Sequence, residues 1–190
     1  MHFGIDYGSK LAGTTVICMD RPEGLELFQS AKKKDADTFV QQSVAIHQPD
    51  FIMLDAPLSL PSAYFGQGED FFYRQCDREL KAMSPMFLGG LTARAMKLNK
   101  QFQNTSIEVF ETYPGHLARS HPELNAHYQK KGKQYGPFLQ ALIPYLPLPL
   151  LQQPENWHQI DAVLAWWSGY RRLKKQAQIY GQPEEGLIYS

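Results

Sequence analysis

The apolar positions of the chain fall into short runs of strand character, separated by segments whose apolar residues recur at helical spacing. The opening run, His2 to Asp6, is apolar except for His2 and Asp6 and ends at a glycine turn, Tyr7-Gly8-Ser9-Lys10. A second strand is expected at about residues 11–19. A third, Leu25 to Ser30, alternates after the turn Arg21-Pro22-Glu23-Gly24. Three consecutive strands with short connections predict an antiparallel meander. Asp35 or Asp37 can cap the next segment, where Phe39, Val40, Val44 and Ile46 form a helical stripe ending before Pro49. Phe51 to Leu54 is apolar without interruption, the pattern of a strand buried on both faces and paired parallel to the first. Asp55 stands at its carboxyl end, where open α/β sheets place their sites.

Residues 59–69 hold Pro, Ser and Gly and predict a loop. A helix is expected from Glu69 to about Met83, with Phe72, Cys76, Leu80 and Met83 on one face and Arg74, Arg78 and Lys81 on another. Gly89-Gly90 and Thr92 open a further helix. Ile107 to Tyr113 alternates and predicts a fifth strand, stopped by Pro114-Gly115, with Glu111 near its carboxyl end. Residues 116–156 read as a basic, proline-rich and mobile region; they include Lys130-Lys131-Gly132-Lys133 and short helices near 124–128 and 138–146. The last strong element runs from Trp157 to Lys174, with Asn156 and Gln159 in capping-box spacing. Its stripe is Ile160, Val163, Leu164, Trp167 and Tyr170, beside a small-residue face of Ala162, Ala165 and Gly169 suited to close approach to a sheet. His158 and Asp161 share one face of it. Gly186-Leu187-Ile188-Tyr189 suggests a short edge strand. The pattern predicts one α/β domain over residues 1–190: a mixed five-stranded sheet flanked by helices, with a helical insertion at about 59–105.

Composition changes this picture in three ways. Lys plus Arg and Asp plus Glu number 19 each, so net charge is zero and any anion site must come from local clustering. The two cysteines, Cys18 and Cys76, have no metal-ligand spacing, and reduced thiols predict a cytoplasmic protein. No segment has the apolar length to span a membrane.

The candidate chemistry lies in the acids. Asp6, Asp55, Glu111 and Asp161 fall on the first, fourth and fifth strands and the last helix. If they converge, they repel one another and take up protons unless cations lie between them. Mg²⁺ or Mn²⁺ fits oxygen donors, and two such ions suit phosphodiester hydrolysis. Asp6-Tyr7-Gly8 also suits a plain hairpin turn.

This order of elements resembles the ribonuclease H-like superfamily. Gly4-Ile5-Asp6-Tyr7-Gly8-Ser9-Lys10 resembles the opening of RuvC-type Holliday junction resolvases. More specifically, five blocks resemble the predicted ribonuclease H-fold nucleases of domain-of-unknown-function family 429. They are Gly4-Ile5-Asp6, Asp55-Ala56-Pro57-Leu58, Arg74 to Leu80, Glu111-Thr112-Tyr113-Pro114 and His158-Gln159-Ile160-Asp161-Ala162. The resemblance implies a metal-dependent nuclease, with Asp6, Asp55 and Asp161 as metal ligands. It makes His158 a ligand or a proton shuttle and adds Glu111 to the site. Arg78 and Arg94 would contact anions, with Lys81 beside them. The implied partner is DNA, RNA or a phosphorylated small molecule; a junction-cutting role would require a two-fold homodimer. Two alternatives stand beside it: a non-catalytic nucleic-acid or nucleotide-binding module of the same fold, and an ATP-dependent phosphotransferase using the Asp6–Lys10 loop.

Overall fold

The computed structural model describes residues 1–128 and 135–190. The expected meander forms. Strands β1 (Phe3–Asp6), β2 (Val16–Arg21) and β3 (Gly24–Gln29) pair antiparallel in sequence order. β2 begins at Val16 rather than near residue 11, because Gly8 and Ser9 amides donate to the hydroxyls of Thr15 and Thr14 and hold residues 7–15 as a loop. Helix α1 (Ala36–His47) follows, its first-turn amides of Asp37 and Thr38 donating to the Asp35 carboxylate. β4 (Phe51–Asp55) then pairs parallel to β1 on the side away from β2.

Between β4 and β5 (Glu108–Thr112) lie the helices of the insertion: α2 (Gln75–Leu80), α3 (Pro85–Leu88) and α4 (Gly90–Phe102). The helix expected over 69–83 is only α2. The Asp70 carboxylate accepts from the amides of Phe72 and Tyr73 and closes a turn there, and Arg74 is extended. After β5 come α5 (Pro114–Ser120), α6 (Pro122–Asn125) and α7 (Gly136–Leu142). Prolines in their first turns start these helices rather than break them. Leu117, Leu124, Phe138 and Leu142 are buried in the core cluster that α8 (Trp157–Leu173) joins, so the described part of region 116–156 supplies core. Its basic run at 130–133 lies outside the described residues. The proline-rich stretch after it covers the sheet edge: Leu25 donates to Pro149 O at 2.7 Å and Leu151 to Leu25 O at 2.9 Å.

The sheet is larger than the five strands expected. A hairpin of β6 (Ile179–Gln182) and β7 (Gly186–Tyr189) extends it to seven, in the order β3-β2-β1-β4-β5-β7-β6. β7 pairs parallel to β5, so Gly186–Tyr189 is not the edge; β6 is. The domain is therefore α/β, with a mixed sheet between two helical layers. α1 and α4 cover one face around Phe3, Ile5 and Leu54; α8 covers the other.

Gly4 shows how closely α8 approaches. A β-carbon on Gly4 would stand 2.0 Å from the backbone nitrogen of Trp166. The small face read from the sequence is the one that meets the sheet, and Gly169 likewise lies against His2 and Met53.

His2 locks this seam. Its ring stacks between Phe51 and Trp166, at 4.7 and 4.9 Å, with Nε2 2.8 Å from the Trp166 carbonyl. Burial lowers its pKa below the usual 6.5. The unfolded chain therefore binds a proton at His2 that the folded chain refuses, and stability falls as pH drops below 6.5 toward the lowered value. Urea unfolding at pH 5 and pH 7 should show this loss at acid pH. In His2→Gln the difference between the two should shrink, and an unchanged difference would refute the assignment.

Candidate active site

Asp6 reaches the site because of strand periodicity. It lies two residues after Gly4 and so points to the same face of the sheet, toward α8. Asp55 is its register partner on β4. Neighbouring strands lie about 4.7–4.9 Å apart, so the two carboxylates stand side by side at the carboxyl ends of parallel strands. α8 contributes from above. His158 Nδ1 is 2.7 Å from Asp6 Oδ2. Asp161, one turn further on, is buried and accepts at Oδ1 from the Tyr128 hydroxyl at 2.7 Å. Burial, with the charges of Asp161 and Asp55 nearby, pushes the Tyr128 phenol far up, so it stays a donor. Asp6 thus stands beside Asp55 and in contact with His158. Asp161 lies one turn along α8 and is tied to them through Tyr128, whose hydroxyl it accepts from and on which the Asp55 charge also acts. Tyr128 belongs with them, held by ring contacts to Phe138 and Trp157.

Glu111 is at the same end of the sheet but serves another network. Its register partner is Leu54, so it points away from the α8 face. Arg74, fully buried, donates to Glu111 Oε1 and Oε2 at 2.6 and 2.7 Å. The same guanidinium donates to Asp77 Oδ1 at 2.7 Å and Oδ2 at 3.0 Å, and to Ser59 Oγ at 2.8 Å. Burial opposes charge on Arg74, but Glu111 and Asp77 outweigh it and hold the guanidinium firmly protonated. Burial also raises the Glu111 carboxyl, a push that Arg74 and the Leu58 amide partly offset. Glu111 is therefore a structural anchor for the insertion, and Arg74 is its counter-ion.

The expected phosphate contacts sit differently from one another. Arg94 donates to Asp37 at 2.6 Å and to the Gly8 carbonyl at 3.0 Å, with its guanidinium over the Tyr7 ring. Tyr7 also donates to Asp37. Arg94 braces the loop that follows Asp6 rather than facing the cleft. Arg78 is exposed, paired with Asp70 and stacked on Tyr73. Lys81 ends α2 in the left-handed region, φ 51°. Arg78 and Lys81 share a shallow recess with Asp77 and Ala82, at the rim of the carboxylate cleft. In the Asp6–Lys10 loop, the Gly8 and Ser9 amides are turned to Thr15 and Thr14, and Lys10 pairs with Asp35 at 3.1 Å. Those amides point into the loop itself, not outward as a phosphate cradle needs.

Among the described residues, no three His, Cys, Asp or Glu side chains form a ready-made metal cage. A pair of adjacent carboxylates still fits Mg²⁺, which keeps several waters and is held by one or two carboxylates together with substrate phosphate. Among the described residues, no helix is long and apolar enough to cross a membrane.

Sequence reasoning missed two residues. Arg74 was expected on one helix face with Arg78 and Lys81, but the turn at Asp70 leaves it ahead of α2, extended and buried. Tyr128 carries no periodic signal at all. Comparison with protein-family models, with curated proteins and with solved structures gives no match.

Proposed function

We propose that this protein is a divalent-metal-dependent hydrolase of phosphodiester bonds, of the ribonuclease H-like kind that the resemblance to domain-of-unknown-function family 429 implies. One observation carries the reading. Asp6 and Asp55 lie in register at the carboxyl ends of β1 and β4, on the face where α8 presents His158 and Asp161. The order β3-β2-β1-β4-β5, with α8 on the Asp6 face, supports it as well.

Asp6 and Asp55 would hold Mg²⁺ or Mn²⁺, with Asp161 as the third carboxylate. Bound there, the metal supplies an activated water and charge neutralisation at the departing oxygen. Asp6 orients His158 through Nδ1, and the imidazole takes and releases a proton at Nε2. Tyr128 fixes the Asp161 carboxylate by donating to Oδ1. Arg78 and Lys81 reach a flanking phosphate at the rim.

The test is a calorimetric titration of Mn²⁺ into chelator-treated protein, followed by a cleavage panel of single-stranded DNA, RNA and short phosphodiesters. Saturable binding is expected, with its loss in both Asp6→Asn and Asp161→Asn. Binding that survives both substitutions would refute the shared site. Binding without turnover of any substrate would refute hydrolysis and leave a metal-binding module.

A further inference from the structure

We propose that the cleft beside the carboxylates receives the ring of the substrate, an unpaired nucleobase carrying an exocyclic amino group, while the attached phosphate lies at Asp6 and Asp55. This rests on the phosphodiester reading above and names its substrate class. The cleft holds about 260 Å³ and runs from Asp6 and Asp55 to apolar walls that include Pro57, Met83, Leu88 and Leu91. Pockets for drug-sized ligands run roughly 300–1,000 Å³, so this one suits a single nucleoside-sized group. A base still stacked in a duplex cannot enter it; the ring must be extruded or already unpaired.

The polar part of the wall selects among rings. Asp77 and Glu111 both line the cleft. Asp77 Oδ2 and Glu111 Oε2 each accept two N–H groups. Asp77 Oδ1 accepts an N–H from Arg74 Nη2 and the S–H of Cys76, while Glu111 Oε1 accepts one N–H, from Arg74 Nη2. A carboxylate oxygen has capacity for two, so Asp77 Oδ1 is filled and Glu111 Oε1 retains acceptor capacity. A ring edge that donates an amino N–H meets an acceptor there, Glu111 Oε1. An edge that sets a carbonyl oxygen in the amino group's place, O6 of inosine or O4 of uridine, meets a lone pair of its own kind at that position.

The surroundings favour a short substrate too. Binding along a duplex needs a track of cations, whereas Arg94 is turned to Asp37 and net charge is zero.

Adenosine, cytidine, inosine and uridine, titrated into the chelator-treated full chain, read the cleft alone. Saturable binding of adenosine and cytidine is expected, with inosine and uridine weaker by about tenfold or more. Leu88→Trp fills the cleft and should weaken adenosine by about tenfold or more. Met83→Trp, at an exposed position, serves if Leu88→Trp does not fold. Equal binding of all four nucleosides, no binding of any, or adenosine affinity untouched by a folded tryptophan variant would overturn the proposal. None of these probes carries a phosphate or needs a metal. Failure of the metal reading would therefore leave nucleoside binding intact, and failure here would leave the Mn²⁺ titration intact. AMP and a single-stranded oligonucleotide with one adenine among thymines then separate the sources of the ring. Tighter binding of AMP identifies a free nucleotide, and tighter binding of the oligonucleotide an unpaired base in a chain.

Discussion

Asp55→Asn should cut metal-dependent cleavage by at least about 10²–10³-fold, the scale on which a preorganised electrostatic group contributes to a transition state. The same variant should unfold at or above the wild-type midpoint. Asp6 and Asp55 are register partners on adjacent parallel strands, and like charges set side by side on a sheet destabilise it. A structural carboxylate would behave in the opposite way, losing stability when neutralised. Cleavage assays paired with urea unfolding of the same preparations decide the matter. An Asp55→Asn protein that is fully active, or inactive only because it is unfolded, would rule out the role given to Asp55.

Arg74→Met is the second large effect, and it falls on stability. The substitution leaves Asp77 and Glu111, 1% and 5% exposed, as buried acids with their shared cation gone. Breaking a buried pair by removing one partner costs about 3–5 kcal/mol, a large part of a typical domain's roughly 5–15 kcal/mol. Urea unfolding measures it directly. Adding Asp77→Asn and Glu111→Gln to the Arg74→Met protein removes the stranded charges and should recover part of the loss. A cost below about 1 kcal/mol for the single substitution would mean that the network is not what holds the insertion.

Much of the frame was legible in the chain. Phe51–Leu54 announced a strand buried on both faces, and β4 lies between β1 and β5. The small residues of the last helix announced its close approach, which Gly4 and Gly169 bear out. Asp6 and Asp55 could be placed at strand ends because a glycine turn follows the first and the apolar run Phe51–Leu54 stops at the second. The hairpin of β6 and β7 was half hidden, since Ile179–Gln182 is short, partly polar and packs little of its surface. Glu111 was legible as a strand-end acid but not as the partner of Arg74. Its facing depends on register against β4, and register is a property of two strands, not one. Arg74 itself was misread for a related reason. A helical wheel drawn over 69–83 assumes a helix that the Asp70 turn stops from starting until Gln75.

The two cysteines make the molecule its own reporter. Cys18 lies in β2 within the core under α8, and Cys76 lies in α2 against Leu80 and Ile188. Both are buried, and burial pushes the Cys18 thiol well up and the Cys76 thiol to about 12. Neither reacts from the closed fold, because the nucleophile is the thiolate. A thiol reagent therefore times two separate openings. Modification at Cys76 clocks release of the insertion that walls the cleft, and modification at Cys18 clocks loss of the sheet core. The gap between those two rates would measure how independently the cleft's wall opens from the sheet that carries Asp6 and Asp55.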